Sequence, residues 1–456
     1  MSAQAENMLT QDSASPAREP WPSPVIAWYG VGLFAFTLLV LFTNANVVGL
    51  LIQPIKRDLG LTDVQASYIL AIAAAANAIF ILPVSRLVDM MSRRVIISIG
   101  LVMASISNAW AGLSSTFSQL IVARTIGGIG GAGNGPATFS ILADYFPPAK
   151  LPKAIAVMNI GFNYGIALSM LFGGTLIALV SGMTDLSLPV IGDLRPWQLI
   201  FLIMAMPEVV LALLMLTTLP EPRRRGVRAA GTNGRRVVSL KELCKFMYDN
   251  RRALGPMFGG LSVNSLAMGT AAWSAPFFER TYGWGPAQYG IVQGIVLLVI
   301  SPIGLITGGI LAERLAKKGY DDANLRVVFI ATALHLPFAM LFALMPTPQL
   351  AIAMSALNIV TITMGSGPQN AALQVIVPNE MRGQVTALFL LCFTLIGGSV
   401  APYVVAVLTQ YVFGDESMLR YSLAAMHIVL GPIAAIIFWY GLKPYGKAFA
   451  AARAWH

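Results

Sequence analysis

The chain has 456 residues, of which 56% are hydrophobic and 11% charged, with a formal net charge of +10. A charged fraction under half the ~25% of soluble domains excludes a water-soluble globule. Basic residues confined to short clusters between apolar runs point to a chain oriented in a bilayer, not to a nucleic-acid surface.

Residues 1–24, polar and Pro-rich, read as a disordered tail on the cytoplasmic side, since a cleaved signal peptide would need an apolar core there. Windows of about 20 apolar residues, enough to cross a ~30 Å hydrocarbon layer, then fall at 25–52, 66–84, 95–113, 117–143, 154–180, 197–219, 253–278, 287–312, 325–345, 349–376, 383–412 and 421–442. The predicted fold is an all-α membrane protein of twelve transmembrane helices. With both termini inside, the inner segments carry twenty-four Lys and Arg and the outer loops five, namely Lys56, Arg57, Arg195, Arg280 and Arg420. That bias sets the orientation.

The longest polar interruption, 220–252, separates a six-helix half at 25–219 from a second at 253–442. It begins as a Gly/Arg-rich linker, and its "SLKELCKFMYDN" has the spacing of a short amphipathic helix on the inner face. Residues 443–456 form a cytoplasmic tail. The halves repeat one another: "SRLVDMMSRR" from Ser85 and "GILAERLAKK" from Gly309 lie 224 positions apart, with Asp89 and Glu313 in register. "DYFPPAKLPKA" and "VPNEMRGQVTA" form a second matched pair after spans four and ten. Two matches at equivalent places indicate an internally duplicated transporter.

The first of these loops resembles the signature loop of the major facilitator superfamily, and "RTIGG" resembles its span-four arginine motif. "LLIQPIKRDLGLTDVQ", "RTIGGIGGAGNGPATFSILADYFPP", "LPEPRRR" and "MLRYSL" resemble the Spinster-like branch. The resemblance implies two pseudo-symmetric six-helix halves, transport by alternating access, and lysolipid, sphingoid, aromatic or terpenoid acid substrates. In that branch an acid in helix one and a glutamate after the arginine motif accompany the arginine. Here those positions read Asn44 and Gly131.

Arg124 is therefore the residue that most needs an explanation. It sits about seven residues inside span four, where an ionised side chain must face a cavity or a partner or snorkel to the head groups. With no family counter-charge and Asn44 at similar depth, it is expected to bind a substrate carboxylate, sulfate or phosphate. Asn134, Asn163, Tyr164, Asn264, Trp273, Gln293 and Asn358, with Gln369, are the other candidate cavity residues, although each amide alone is more often interhelical glue. Asp89, Arg93, Arg94 and Asp144, with Glu313 and Arg314 as a weaker twin, are expected to form a cytoplasmic latch. Glu208, deep in span six, is expected to be protonated, paired or turned to the protein interior, and is the one candidate proton site inside the membrane.

Cys244 and Cys392, with His335, His427 and His456, are too few and scattered for a disulfide framework or metal cluster, and no cofactor is expected. The expected protein is a monomeric inner-membrane carrier of an amphiphilic organic anion, surrounded by lipid, secondary-active or facilitative, with facilitated diffusion or anion exchange without protons favoured because neither Asn44 nor Gly131 titrates. The alternatives are a proton-driven multidrug or lipid exporter and a non-transporting membrane receptor. A lipid-modifying enzyme would need a convergent nucleophile and base, which the sequence does not offer.

Overall fold

A computed structural model of the chain describes residues 21–147, 150–181, 186–188, 192–222, 224, 240–378 and 381–452. Span one is the helix Pro24–Leu59, span two Asp63–Met90 and span three Arg93–Gly112. The first turn is encoded locally: Gly60 closes span one at φ 62°, a left-handed position that suits glycine. Thr62 and Gln65 then cap span two reciprocally. Span four runs as Phe117–Gly131 and Asn134–Tyr145, span five as Leu151–Ser181 and span six as Pro196–Thr218.

After the short helix Leu240–Asp249, span seven runs as Arg251–Met268, a 3₁₀ turn Gly269–Trp273 and Ser274–Tyr282. Span eight is Pro286–Lys317, span nine Ala323–Leu344 and span ten Pro348–Ile376. Span eleven passes from Arg382–Phe393 through π-helical turns to Val412, and span twelve is Leu419–Ala452. Among the described residues, nine helices are long and apolar enough to cross a membrane. Spans four, five and seven fall outside that set: turns divide four and seven, and of span five Tyr164–Val180 counts only as a shorter apolar helix.

Helices outrun the hydropathy windows at spans one, two, eight and twelve, the last reaching Ala452 where a tail was expected from 443. Hydropathy detects only the length in hydrocarbon, whereas the helix continues wherever backbone bonds can be kept in the polar layer. A two-stranded hairpin, Leu186–Leu188 with Gly192–Leu194, joins spans five and six and was not expected. The expected tail at 1–20, the linker at 225–239 and residues 453–456 lie outside the described residues.

Glycine sets the closest crossings. A Cβ on Gly130 would come within 2.8 Å of the Gly100 carbonyl, so spans three and four meet backbone to backbone. A Cβ on Gly269 would meet the Gly397 carbonyl at 2.3 Å, bringing the irregular parts of spans seven and eleven together. Across the halves, span eight packs on span five and span two on span eleven.

The apolar cores show how the halves are joined. At the end remote from the termini, one core draws on both halves, including Leu50, Ile55, Trp197 and Phe201 with Trp273, Phe277, Phe278 and Leu419. At the terminal end each half has its own core, one around Phe34, Tyr145 and Leu219 and one around Leu254, Phe389 and Tyr445.

Candidate functional site

Between the halves lies a cavity of about 500 Å³, lined from spans one, two and five on one side and seven to twelve on the other. Alanine, glycine, leucine, isoleucine and methionine make up most of the wall. Its polar groups are Asn46, Thr270, Ser274, Tyr289, Gln293, Ser301, His335, Ser355, Asn358, Thr363 and His427. Among the described residues no Asp, Glu, Lys or Arg lines it. Gln293 and Ser355 hydrogen-bond to each other across spans eight and ten, at 2.9 and 3.2 Å. The Oδ1 of Asn358 has no partner. A second cavity of about 190 Å³ adjoins it within the second half, with Asn264, Gln369 and His335 on its wall.

The expected ligands divide accordingly. Gln293 and Asn358 line the central cavity, and Asn264 the smaller one. Trp273 is fully buried and donates its Nε1–H to the Pro402 carbonyl at 2.9 Å, tying span seven to span eleven. Asn134 lies inside the first half near Gly100, its amide atoms unpartnered. Tyr164 is half-buried on span five and off the cavity wall, and the side chain of Asn163 lies outside the described residues.

Arg124 and Asn44 are not among the lining residues either. Asn44 is buried and donates its Nδ2–H to Glu208 Oε1 at 2.5 Å. Asn108 in span three donates to Oε2 of the same carboxylate at 2.9 Å. Glu208 is fully buried, and Arg124 faces it electrostatically from span four. The charge missing from helix one is thus supplied in space by span six. Arg124 forms no hydrogen bond among the described residues, and its buried Nε has no partner. The residue of span one that does reach the cavity is Asn46, two positions on and about 200° around the helix.

The expected latch residues fall into different sets. Arg93 is buried and pairs with Asp144 and with Glu221 at 2.8 Å, and it donates to the Ser140 and Pro222 carbonyls. The backbone N–H groups of Arg93 and Arg94 and the Ser92 hydroxyl also donate to Glu221, so a linker carboxylate caps span three. Burial alone would raise Glu221, but the Arg94 N–H, the Arg93 guanidinium and the Ser92 hydroxyl outweigh it and hold the carboxyl below the ordinary glutamate range. All these contacts belong to the first half and the linker after it. Glu313 is exposed and pairs at 2.5 Å with Lys317 one turn along its own helix, and Arg314 is exposed beside it. The side chain of Asp89 lies outside the described residues.

The ion pairs that join the halves are at the end remote from the termini, among residues read in the sequence only as loop charges. Arg280 of span seven forks onto Asp63 of span two at 2.7 and 2.8 Å. Lys56 pairs with the same carboxylate at 2.7 Å and with Glu416, and Arg57 pairs with Glu279 at 2.6 Å. Asp63, Lys56 and the Arg280 side chain are almost fully buried. One signal was present in the sequence: the bidentate habit of arginine makes a conspicuous outer Arg and a helix-starting Asp worth pairing.

Comparison with known proteins agrees with this architecture. The profile of the Major Facilitator Superfamily matches residues 33–402. An MFS-type efflux pump of Mycolicibacterium smegmatis is 26% identical over 93% of this chain and 94% of its own. A probable L-galactonate transporter of Escherichia coli K12 is 22% identical over 73% of this chain and 71% of its own. Crystal structures of a bacterial homologue of the human lysosomal transporter Spinster, inward-facing, match the fold. The unoccupied form has a TM-score of 0.77 over 94% of this chain and 98% of its own, and the occupied form 0.79 over 94% and 99%, each at 20% identity.

Proposed function

Because the chain belongs to the Major Facilitator Superfamily, we propose that it is an alternating-access carrier of an amphiphilic organic molecule, held in the central cavity. The supporting observation is the cavity wall: mostly apolar over about 500 Å³, with a few amides, hydroxyls and imidazoles and no fixed charge among the described residues. Such a wall suits an apolar body with one hydrogen-bonding head group. A sugar would call for more hydrogen-bond partners, and a bare ion for fixed charge.

The shared far-end core and the Asp63–Arg280 cluster support a state closed at that end. The positive-inside bias makes that end the outer one, with both termini cytoplasmic in an inner membrane. The cavity would then open inwards. The efflux pump, similar over nearly the whole chain, supports export as the direction.

Proton drive is favoured by the placement of Glu208. A proton on its carboxylate would free Arg124 from its counter-charge and bias the packing of spans one, three, four and six. The organic-anion reading no longer rests on Arg124, which we assign to Glu208.

The test uses protein reconstituted in liposomes and three dansyl-labelled C12 amphiphiles: a sulfonate, an uncharged amide and a quaternary ammonium. Saturable, protein-dependent flux of at least one of them is expected, and a pH gradient should concentrate it in wild type but not in Glu208→Gln. Absence of flux for all three would overturn the carrier reading. Gradient-driven accumulation that survives Glu208→Gln would remove Glu208 from the coupling.

A further inference from the structure

We infer that His335 and His427 form a second titratable centre on the wall of the central cavity, one that takes up a proton together with the acidic head group of a substrate. The inference rests on the carrier reading above and narrows its substrate class. The two histidines are 92 residues apart in sequence, in spans nine and twelve. Their rings lie 5.3 Å apart between centroids, edge to face at 72°.

Both rings are inside the protein, 3% and 5% exposed, and both are on the cavity wall. His427 Nε2 is 3.1 Å from the Thr270 hydroxyl of span seven. Its Nδ1 and both nitrogens of His335 have no hydrogen-bond partner. A structural histidine in a core is normally satisfied, and leaving a buried polar group unmade costs about 1–3 kcal/mol each. Three such atoms around one point on a cavity wall describe a site that a ligand completes.

The helices that carry it are the repeat mates of those around Glu208. The 224-residue shift that aligns Asp89 with Glu313 carries Asn44 to within two residues of Thr270, Asn108 to within three of His335 and Glu208 to within five of His427. Spans one, three and six thus supply the buried polar centre of one half, and spans seven, nine and twelve that of the other. The chemistry differs. The first centre contains its own carboxylate and guanidinium and is off the cavity, while the second carries neither and faces into it.

The groups around the rings contain no charge that could answer a proton. Span seven presents Thr270, span ten Asn358, and the rings themselves come from spans nine and twelve. Asn358 faces His335 without reaching hydrogen-bond geometry. Span eight brings to the wall the polar groups Gln293, engaged with Ser355, Ser301 and the Tyr289 phenol, and span eleven contributes Gly397, Gly398 and Pro402. Among the described residues no Asp, Glu, Lys or Arg acts on either ring. A charge on that wall is costly while it stands alone, so a proton on either imidazole is taken up with an anionic head group that balances it, and a cationic one is repelled.

The experiment uses the full-length protein in nanodiscs and two fluorescent probes of equal length, the dansyl-C12 sulfonate, whose charge does not titrate, and the uncharged dansyl-C12 amide. Sulfonate affinity is expected to rise about tenfold from pH 8 to pH 5, with the amide changing less than twofold. His335→Asn and His427→Asn should each bring the sulfonate ratio below about twofold, a ratio taken within one protein and so insensitive to loss of overall affinity. ¹⁵N-histidine NMR of the wild type should show at least one imidazole gaining a proton at pH 5 when sulfonate is added, and none doing so with the amide. A wild-type sulfonate affinity that ignores pH, imidazoles that stay neutral at pH 5 with sulfonate bound, or a tenfold gain that persists in the double variant would each overturn the inference while the amide still binds. Failure of both probes to bind saturably would overturn the cavity reading and this inference with it.

Discussion

Glu208 and Arg124 show what a helical sequence conceals at the level of single residues. The sequence left Glu208 protonated, paired or turned inward without naming its partner, because no periodicity says which neighbour a side chain meets. Buried beside two amide donors and a guanidinium, Glu208 is the centre of a four-helix contact. Removing it leaves a buried cation uncompensated. Glu208→Met and Arg124→Met are each expected to destabilise the first half by about 3 kcal/mol or more, while the double variant Glu208→Met/Arg124→Met should be less unstable than the sum of the two. Denaturation of the purified variants in detergent measures this, and simple additivity would show that the two charges do not interact. Asn44 and Asn46 make the same point at finer scale: both are amides in one turn, and only the rotation of span one decides that the first meets Glu208 and the second the cavity.

Between elements, glycines and helix ends carry the contacts. Gly308 and Gly309 are neighbours in span eight, yet a Cβ on Gly308 would lie 2.0 Å from the Met364 carbonyl of span ten, while one on Gly309 meets nothing within 4 Å. Gly308→Ala should therefore force spans eight and ten apart and lower the melting temperature measurably. Gly309→Ala should leave it unchanged or raise it slightly through helix propensity. Equal effects would mean that spans eight and ten are not in backbone contact. At the start of span three, Glu221 acts as the cap, and its carboxyl is held below the ordinary value of 4.5. A depressed acid contributes stability that is fully present above its unfolded value and is lost as the pH falls through the folded one. Glu221→Gln should accordingly be less stable than wild type at pH 7, with the gap closing as the pH is taken below about 4.5. A gap that stays constant with pH would exclude the ionised carboxylate as the cause.

For the whole molecule, the far-end cluster is where ion pairs join the two halves among the described residues. Asp63 answers both Lys56 and Arg280, so Asp63→Asn leaves two cations facing one another across the halves with only Glu416 between them. The expected outcome is a shift towards the state open at that end, because the mutation removes contacts made in only one of the two states. Double electron–electron resonance between spin labels at Ser115 and Pro346, exposed loop positions in the two halves, should show a longer distance population in Asp63→Asn. Restoring charge balance with Lys56→Gln should reverse part of it. A distance distribution identical to wild type would show that the shared apolar core alone holds this end closed.

Run lengths, loop charges and the 224-residue repeat determined the membrane class, the two halves and the family resemblance. Each of these is written locally, in how many apolar residues follow one another and where cations interrupt them. The sequence also singled out Gln293, Asn358 and Glu208 as polar groups out of place in hydrocarbon. Tertiary structure alone shows which groups meet: Arg124 faces an acid 84 residues away, two histidines read as scattered share one wall, and Asp63 and Arg280 join the halves at the far end. The physical reason is common to all three. A transmembrane helix satisfies its own backbone, so its sequence fixes that it spans but leaves its rotation and neighbours to packing between helices.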